Sequence, residues 1–222
     1  MRNKNKTRSL CVMAMFAALA FVLMLVLRLP VVASAPYLKY DPKDIMIVIC
    51  GFTEGPIAAL LVSLVVALLE MVTVGSTGLI GFAMNFISSA AFAVVAALFY
   101  SRRRSLRQAV YGICCGVLAM TALMLLWNYF LTPLYTGYPR ETVAAMLPTV
   151  FLPFNLIKGI INAAVTMLIY KPISKALRRT GLTEQLPTGE ATGVSVGKKQ
   201  PLVWIIAGAV LIICIVAVLL LK

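Results

Sequence analysis

Histidine is absent from the 222-residue chain, and acidic residues are scarce: seven Asp and Glu stand against 20 Lys and Arg. Without histidine there is no His-based triad, no His metal site and no H-E-x-x-H helix. No two acids share a helix in the spacing that proton chemistry or an aspartyl protease needs, and Glu70 reads as the lone interior acid. The five cysteines (Cys11, Cys50, Cys114, Cys115 and Cys214) all lie in or beside apolar stretches and form no C-x-x-C pair. They read as buried, inert thiols. "GVSVGKK" at 193–199 lacks the G-x-x-x-x-G-K-[ST] spacing and any strand–helix frame, so the chain carries no phosphate loop of its own. The expectation is a non-enzyme without metal or cofactor.

Charge of either sign is also sparse, at 12% of residues, whereas 62% are hydrophobic and the mean hydropathy is +0.99. Soluble domains are about half apolar and a quarter charged. The chain is therefore read as an integral membrane protein. Its net charge of +13 sits at the ends of apolar runs, where basic residues meet anionic lipid heads. Nucleic acid is not the expected partner.

A spanning helix needs about 20 mostly apolar residues. Candidates are 10–28, 44–52 followed after a break by 55–74, then 81–99, 109–131, 149–171 and 202–221. Gly51, Gly55 and Pro56 in "GFTEGP" are expected to separate a short second helix from a full third one. The basic start "MRNKNKTRSL" precedes an apolar run long enough to span, and is read as a retained first helix rather than a cleaved signal; "ASAP" at 33–36 only mimics a cleavage site. Basic clusters at Arg2–Arg8, Arg102–Arg107 and Lys171–Arg179 all fall on one side if six helices precede Lys171. The positive-inside rule makes that side, and the N-terminus, cytoplasmic. The expected organisation is a six-helix core at 1–182, a flexible cytoplasmic linker at 183–201 and a seventh membrane helix at 202–222.

The interior polar residues are then Glu70, Asn85, Asn128, Asn155, Lys158 and Asn162. At the helical period, 155, 158 and 162 occupy one face. Such a stripe is either glue between helices or a ligand wall. Asn162 is read as a structural hydrogen-bonder. Lys158 with Asn155 is read as ligand contact, since an interior amine needs an anion or several acceptors. Asn85 and Asn128 reach a similar outward depth, and amides offer both donors and acceptors to a planar heterocycle. Tyr37, Tyr40, Trp127, Tyr129 and Tyr135 lie at that level as stacking partners or as an interfacial belt. Ala14 and Ala18, four apart in helix 1, form a small-residue face for internal packing or for docking another subunit.

Taken in order, "ALAFVLMLV", "YLKYDPKDI", "EGPIAAL", "GSTGLIGFAMNF", "MTALMLLWNYFLTPLY" and "LPFNLIKGIINAAV" resemble the riboflavin-specific S components (the RibU family) of energy-coupling factor (ECF) vitamin transporters. The resemblance covers about residues 8–180. It implies an all-α membrane bundle that binds riboflavin, with FMN as a further candidate, in an outward cavity closed by the 1–2, 3–4 and 5–6 loops. It implies that Asn128, Asn155 and Lys158 hydrogen-bond the flavin, with Glu70, Asn85, Leu38, Tyr40 and Gly81 as further contacts. Ala14 and Ala18 match the family's A-x-x-x-A motif for the transmembrane subunit EcfT, to which two ATPase subunits bind, and the S component is expected to topple in the membrane to deliver its ligand. The alternatives are an S component for another vitamin, or a membrane scaffold whose polar residues only join helices. The tail beyond Leu182 departs from the family pattern, and its flexible linker would let the core rotate.

Overall fold

The computed structural model describes residues 2–30, 38–75 and 77–179. The proposed linker, the seventh helix, Cys214, "ASAP" and Tyr37 lie outside the described residues. The elements in chain order are α1 (Arg2–Val26), β1 (Leu29–Pro30), β2 (Lys39–Tyr40), α2 (Lys43–Glu54), α3 (Pro56–Thr73), α4 (Gly78–Arg103), α5 (Leu106–Thr136), α6 (Arg140–Met146) and α7 (Leu152–Arg179). A π-turn, Leu147–Phe151, joins α6 to α7. Among the described residues, five helical segments are long and apolar enough to cross a membrane: Lys6–Val26, Pro56–Thr73, Gly78–Arg103, Leu106–Thr136 and Arg140–Ile173. At about 1.5 Å per residue, 12-residue α2 reaches only about 18 Å, short of a hydrocarbon core of about 30 Å.

Local chemistry sets the boundaries. The predicted break falls at Gly55, whose φ of 100° is open to glycine, and whose N–H closes α2 on Gly51 O at 2.9 Å. Pro56 then starts α3, where a missing N–H costs nothing. Gly51 itself stays helical. Ser105 caps α5 by accepting from the Gln108 N–H at 3.3 Å, and Gly137 ends α5 with φ 74°. Several boundaries differ from expectation. Helix α5 continues five residues past 131, α4 begins at Gly78, and the stretch read as the 5–6 loop is helical from Arg140. Pro148 lies inside the π-turn and Pro153 in the first turn of α7; each lacks the N–H of an α-helical bond, and the Leu152 N–H bonds Leu147 O, five residues back.

Helix α2 is the axis of the bundle. Every residue from Lys43 to Thr53 is buried, with α1, α3, α4 and α7 packed around it. Lipid is as apolar as leucine, so close packing rather than water exclusion must hold such helices together. Small residues provide it. Ala90, Ala93, Ala96 and Ala97 are buried on α4, and Gly112 and Gly116 of α5 lie where an added Cβ would come within 2.6 Å of the Ala96 and Phe92 carbonyl oxygens. Gly112 and Gly116 thus form a G-x-x-x-G pair against α4. Large apolar side chains such as Leu19, Leu68, Leu118 and Leu126 are exposed outward, as a lipid-facing surface requires.

One end of the bundle is plugged. Phe52 packs on Tyr100 and Tyr170 with ring centroids 4.5 and 5.6 Å away, the two tyrosine hydroxyls share a hydrogen bond, and Ser9 donates to Glu54 at 2.5 Å. The exposed Arg102, Arg103 and Arg107 follow at the α4–α5 turn. The other end is open. Strands β1 and β2 pair there antiparallel, Leu29 with Tyr40 and Pro30 with Lys39, a small ladder that the all-helical expectation did not include.

Candidate functional site

The connectivity of alternating helices gathers polar residues at the open end. It collects the end of α1, the start of α2, the end of α3, the start of α4, the end of α5 and the start of α7. A cavity with about 900 Å³ of empty space, its open mouth included, lies among them. Of the predicted contacts, Leu38, Glu70, Gly81, Asn85, Asn128, Asn155 and Lys158 line it. Tyr40 does not. Its hydroxyl instead donates to Asn162 Oδ1 at 2.9 Å, behind the wall. Among the aromatics considered for stacking, Tyr135 lines the cavity, together with Phe82 and Phe154. Trp127 packs on the core, and Tyr129 is exposed with its ring against Phe130.

The two buried amides are partly occupied. Asn155 Nδ2 donates to Phe151 O at 2.8 Å, and Asn128 Nδ2 donates to Met124 O at 2.6 Å while its Oδ1 accepts from Thr132 at 2.8 Å. Each bond holds its amide in one orientation on its helix. Each amide keeps a second N–H, and Asn155 keeps its oxygen, for a ligand with both carbonyls and ring nitrogens.

The expectation of a single interior acid is overturned. Asp41 and Asp44, assigned to the outer 1–2 loop, are buried at 3% and 0% exposure and sit beside Glu70 in one ion network. Lys158 Nζ lies 3.7 Å from both Asp41 Oδ1 and Asp44 Oδ2. Lys43 pairs with Asp41 at 3.5 Å and bonds Glu70, which also meets Arg28 at 3.2 Å. Asp44 further accepts from Ser89 at 2.5 Å and Asn162 at 3.2 Å. Arg28, Lys43 and Lys158 thus face three carboxylates, and half-buried Lys39 adds a fourth cation on the wall. Buried charge is tolerable only when paired in this way. Burial alone would raise the Asp41 pKa, but Lys158, Lys43 and Arg28 together hold it below the usual carboxylate value. The sequence signal for the missed residues was "YDPKD", a dense charge cluster at a helix start. Asn162 is a hydrogen-bonder inside the network, in keeping with its reading.

Ala14 and Ala18 are both exposed, while Val12, Phe16, Ala17 and Ala20 face the core. The small-residue face is therefore not used for internal packing.

An open polar cavity with fixed amides, set in an apolar bundle, defines a membrane-embedded protein that binds a small molecule. The sequence model of the ECF transporter substrate-specific component matches residues 8–170, and the chain belongs to that family. Its members are transporter components, not enzymes. Among its relatives is the riboflavin transporter RibU of Staphylococcus aureus (strain TCH60), 30% identical over 184 residues, covering 80% of this chain and 96% of that protein. The riboflavin transporter FmnP of Bacillus subtilis (strain 168) is 34% identical over 174 residues, 74% of this chain and 91% of that one. A solved structure of the S component of a bacterial ECF transporter superposes with a TM-score of 0.67 at 30% identity, covering 81% of this chain and 100% of the other.

Proposed function

We propose that the chain is the riboflavin-binding S component of an ECF-type transporter, which captures extracellular riboflavin for ATP-driven uptake with EcfT and two ATPase subunits. The observation that carries this reading is the cavity wall of Asn85, Asn128, Asn155 and Lys158, found in a chain 30–34% identical to riboflavin transporters over most of their length. A planar ring bearing carbonyls and nitrogens matches amides with spare donors and acceptors. Lys158 is already paired with carboxylates of its own chain, so the ligand need bring no negative charge, and riboflavin is uncharged. In this reading Lys158 turns one N–H to the flavin while its charge stays balanced.

The core is proposed to hold six membrane helices, α2 included as the short one, with a seventh at 202–222. The arginine end and the N-terminus are cytoplasmic, so the cavity opens outward. Purified protein is expected to be yellow, or to quench added riboflavin fluorescence at a stoichiometry near one; titration against FMN then ranks the two flavins. Colourless protein that leaves riboflavin fluorescence unchanged would sink the reading.

The exposed Ala14 and Ala18 are proposed to seat EcfT. Replacing both by Trp is expected to leave riboflavin titration unchanged and to abolish co-purification with EcfT and the ATPases. Retained assembly would move the docking face elsewhere.

A further inference from the structure

An asparagine side chain has two ends of nearly the same shape, one that donates and one that accepts. A wall built on asparagines discriminates between ligands only if something decides which end each one turns to the cavity. For Asn128 the fold makes that decision.

Asn128 is 2% exposed and lines the cavity about two turns before the end of α5. Its Nδ2 lies 2.6 Å from Met124 O. A main-chain carbonyl only accepts, so the amide nitrogen must face it and the amide oxygen must point elsewhere. One turn on, the hydroxyl of fully buried Thr132 lies 2.8 Å from Asn128 Oδ1 and donates to it. That spends the single hydrogen of Thr132, so in its 3.1 Å bond with Tyr135 the phenol is the donor. Hydrogen bonds thus run in one direction along one stripe of α5, from Tyr135 through Thr132 and Asn128 to Met124 O.

The arrangement is not the usual one for a helical threonine, whose hydroxyl commonly bonds the carbonyl four residues back. Thr73, Thr136, Thr149 and Thr166 all do so, at 2.6–3.1 Å. Thr132 instead gives its hydrogen to the side chain four residues back. It is not part of the cavity wall, so its hydroxyl reaches the cavity only through Asn128. Held at both ends, Asn128 has one N–H left for the cavity and cannot exchange it for its oxygen.

Taking the flavin reading above as its basis, we infer that Thr132 is a positioning residue that sets specificity by locking Asn128 as a hydrogen-bond donor. The ring atom opposite Asn128 must then be an acceptor, a carbonyl oxygen or an unprotonated ring nitrogen. A ligand with an N–H at that place would set donor against donor and leave both unpaired in a dry site, which excludes it.

The test is a double-mutant cycle read by riboflavin fluorescence quenching on the purified full chain. Thr132→Val removes the hydroxyl at nearly constant volume and is expected to weaken riboflavin by about fivefold or more; Thr132→Ser, which keeps the hydroxyl, is expected to restore affinity to within about threefold. In an Asn128→Ala background, Thr132→Val is expected to cost less than about a further twofold, because its effect passes through the amide. A merely structural threonine would give the same loss in both backgrounds, and that result, or unchanged binding in Thr132→Val, would overturn the proposal. Asn128→Asp tests the polarity without touching Thr132. The carboxylate can accept but not donate, so it is expected to bind no better than Asn128→Ala, and affinity at or above wild type would show an acceptor in place of the locked donor and overturn the proposal. A wild type that leaves riboflavin fluorescence unchanged would overturn the flavin reading first, and with it the ligand for which Asn128 is held.

Discussion

Lys158→Ala is expected to lower riboflavin affinity by at least about 100-fold, in line with one lost charge-assisted hydrogen bond at ~1.5–3 kcal/mol plus a misplaced wall. The wall is at stake because the ammonium lies between two carboxylates, 3.7 Å from each. Removing one member of a buried charge set leaves the others uncompensated, at a cost of about 3–5 kcal/mol in soluble proteins. Thermal stability in detergent should therefore fall together with affinity, and affinity alone would be ambiguous. The double variant Lys158→Ala/Asp41→Asn resolves this. It leaves Arg28 and Lys43 facing Asp44 and Glu70, two charges of each sign. Stability is expected to return toward wild type while binding stays lost. Recovery of both would make Lys158 a purely structural cation, and full binding in the single variant would remove it from the site.

The other large effect is expected from Gly116→Leu. A Cβ at this position would sit 2.6 Å from Phe92 O and 2.9 Å from Phe92 Cδ2. The first obstacle is backbone and cannot rotate away, so α4 and α5 must separate along their length. Overpacking costs about 1–3 kcal/mol in cores that can partly yield, and this one should fall at or above the upper end. The expected result is a large drop in melting temperature or in folded yield from detergent. Cys114→Leu is the control: Cys114 is exposed on the same helix, and added bulk there should leave melting unchanged. If both variants melt like the wild type, the α4–α5 contact is looser than the backbone distances state.

Much of this architecture was legible because hydrocarbon is an exacting solvent. Twenty apolar residues in a row have few fates, so the long helices and the Gly55–Pro56 break could be read directly. The stripe of Asn155, Lys158 and Asn162 followed from helical period alone. Depth was harder to read. Asp41 and Asp44 looked like loop residues because charges beside a turn usually meet water, and nothing in a local window reveals that a helix start is buried. The partners that make burial tolerable, Arg28, Glu70 and Lys158, lie far off in the chain. Lys158 accordingly looked like a cation awaiting an outside anion. The helical course of 140–151 was masked by Pro148, whose cost is absorbed by a π-turn rather than a loop. Small-residue spacing alone does not tell an exposed face from a packed one: Ala14 and Ala18 of α1 face outward, whereas the glycine pair of α5 packs internally.

Helix α2 has a consequence for how the protein is built into the bilayer. A segment of 12 residues with buried Lys43 and Asp44 at its head and neighbours on every side has no stable place in lipid by itself. It cannot be threaded in like a spanning helix and then wait for partners. Its insertion and the closing of α3, α4 and α7 around it must be one event, in which the carboxylates and ammoniums enter already matched. The ligand cavity is the open end of that matched set. Biogenesis and binding thus share one checkpoint: a chain whose charges fail to pair on the way in has no site to offer afterwards.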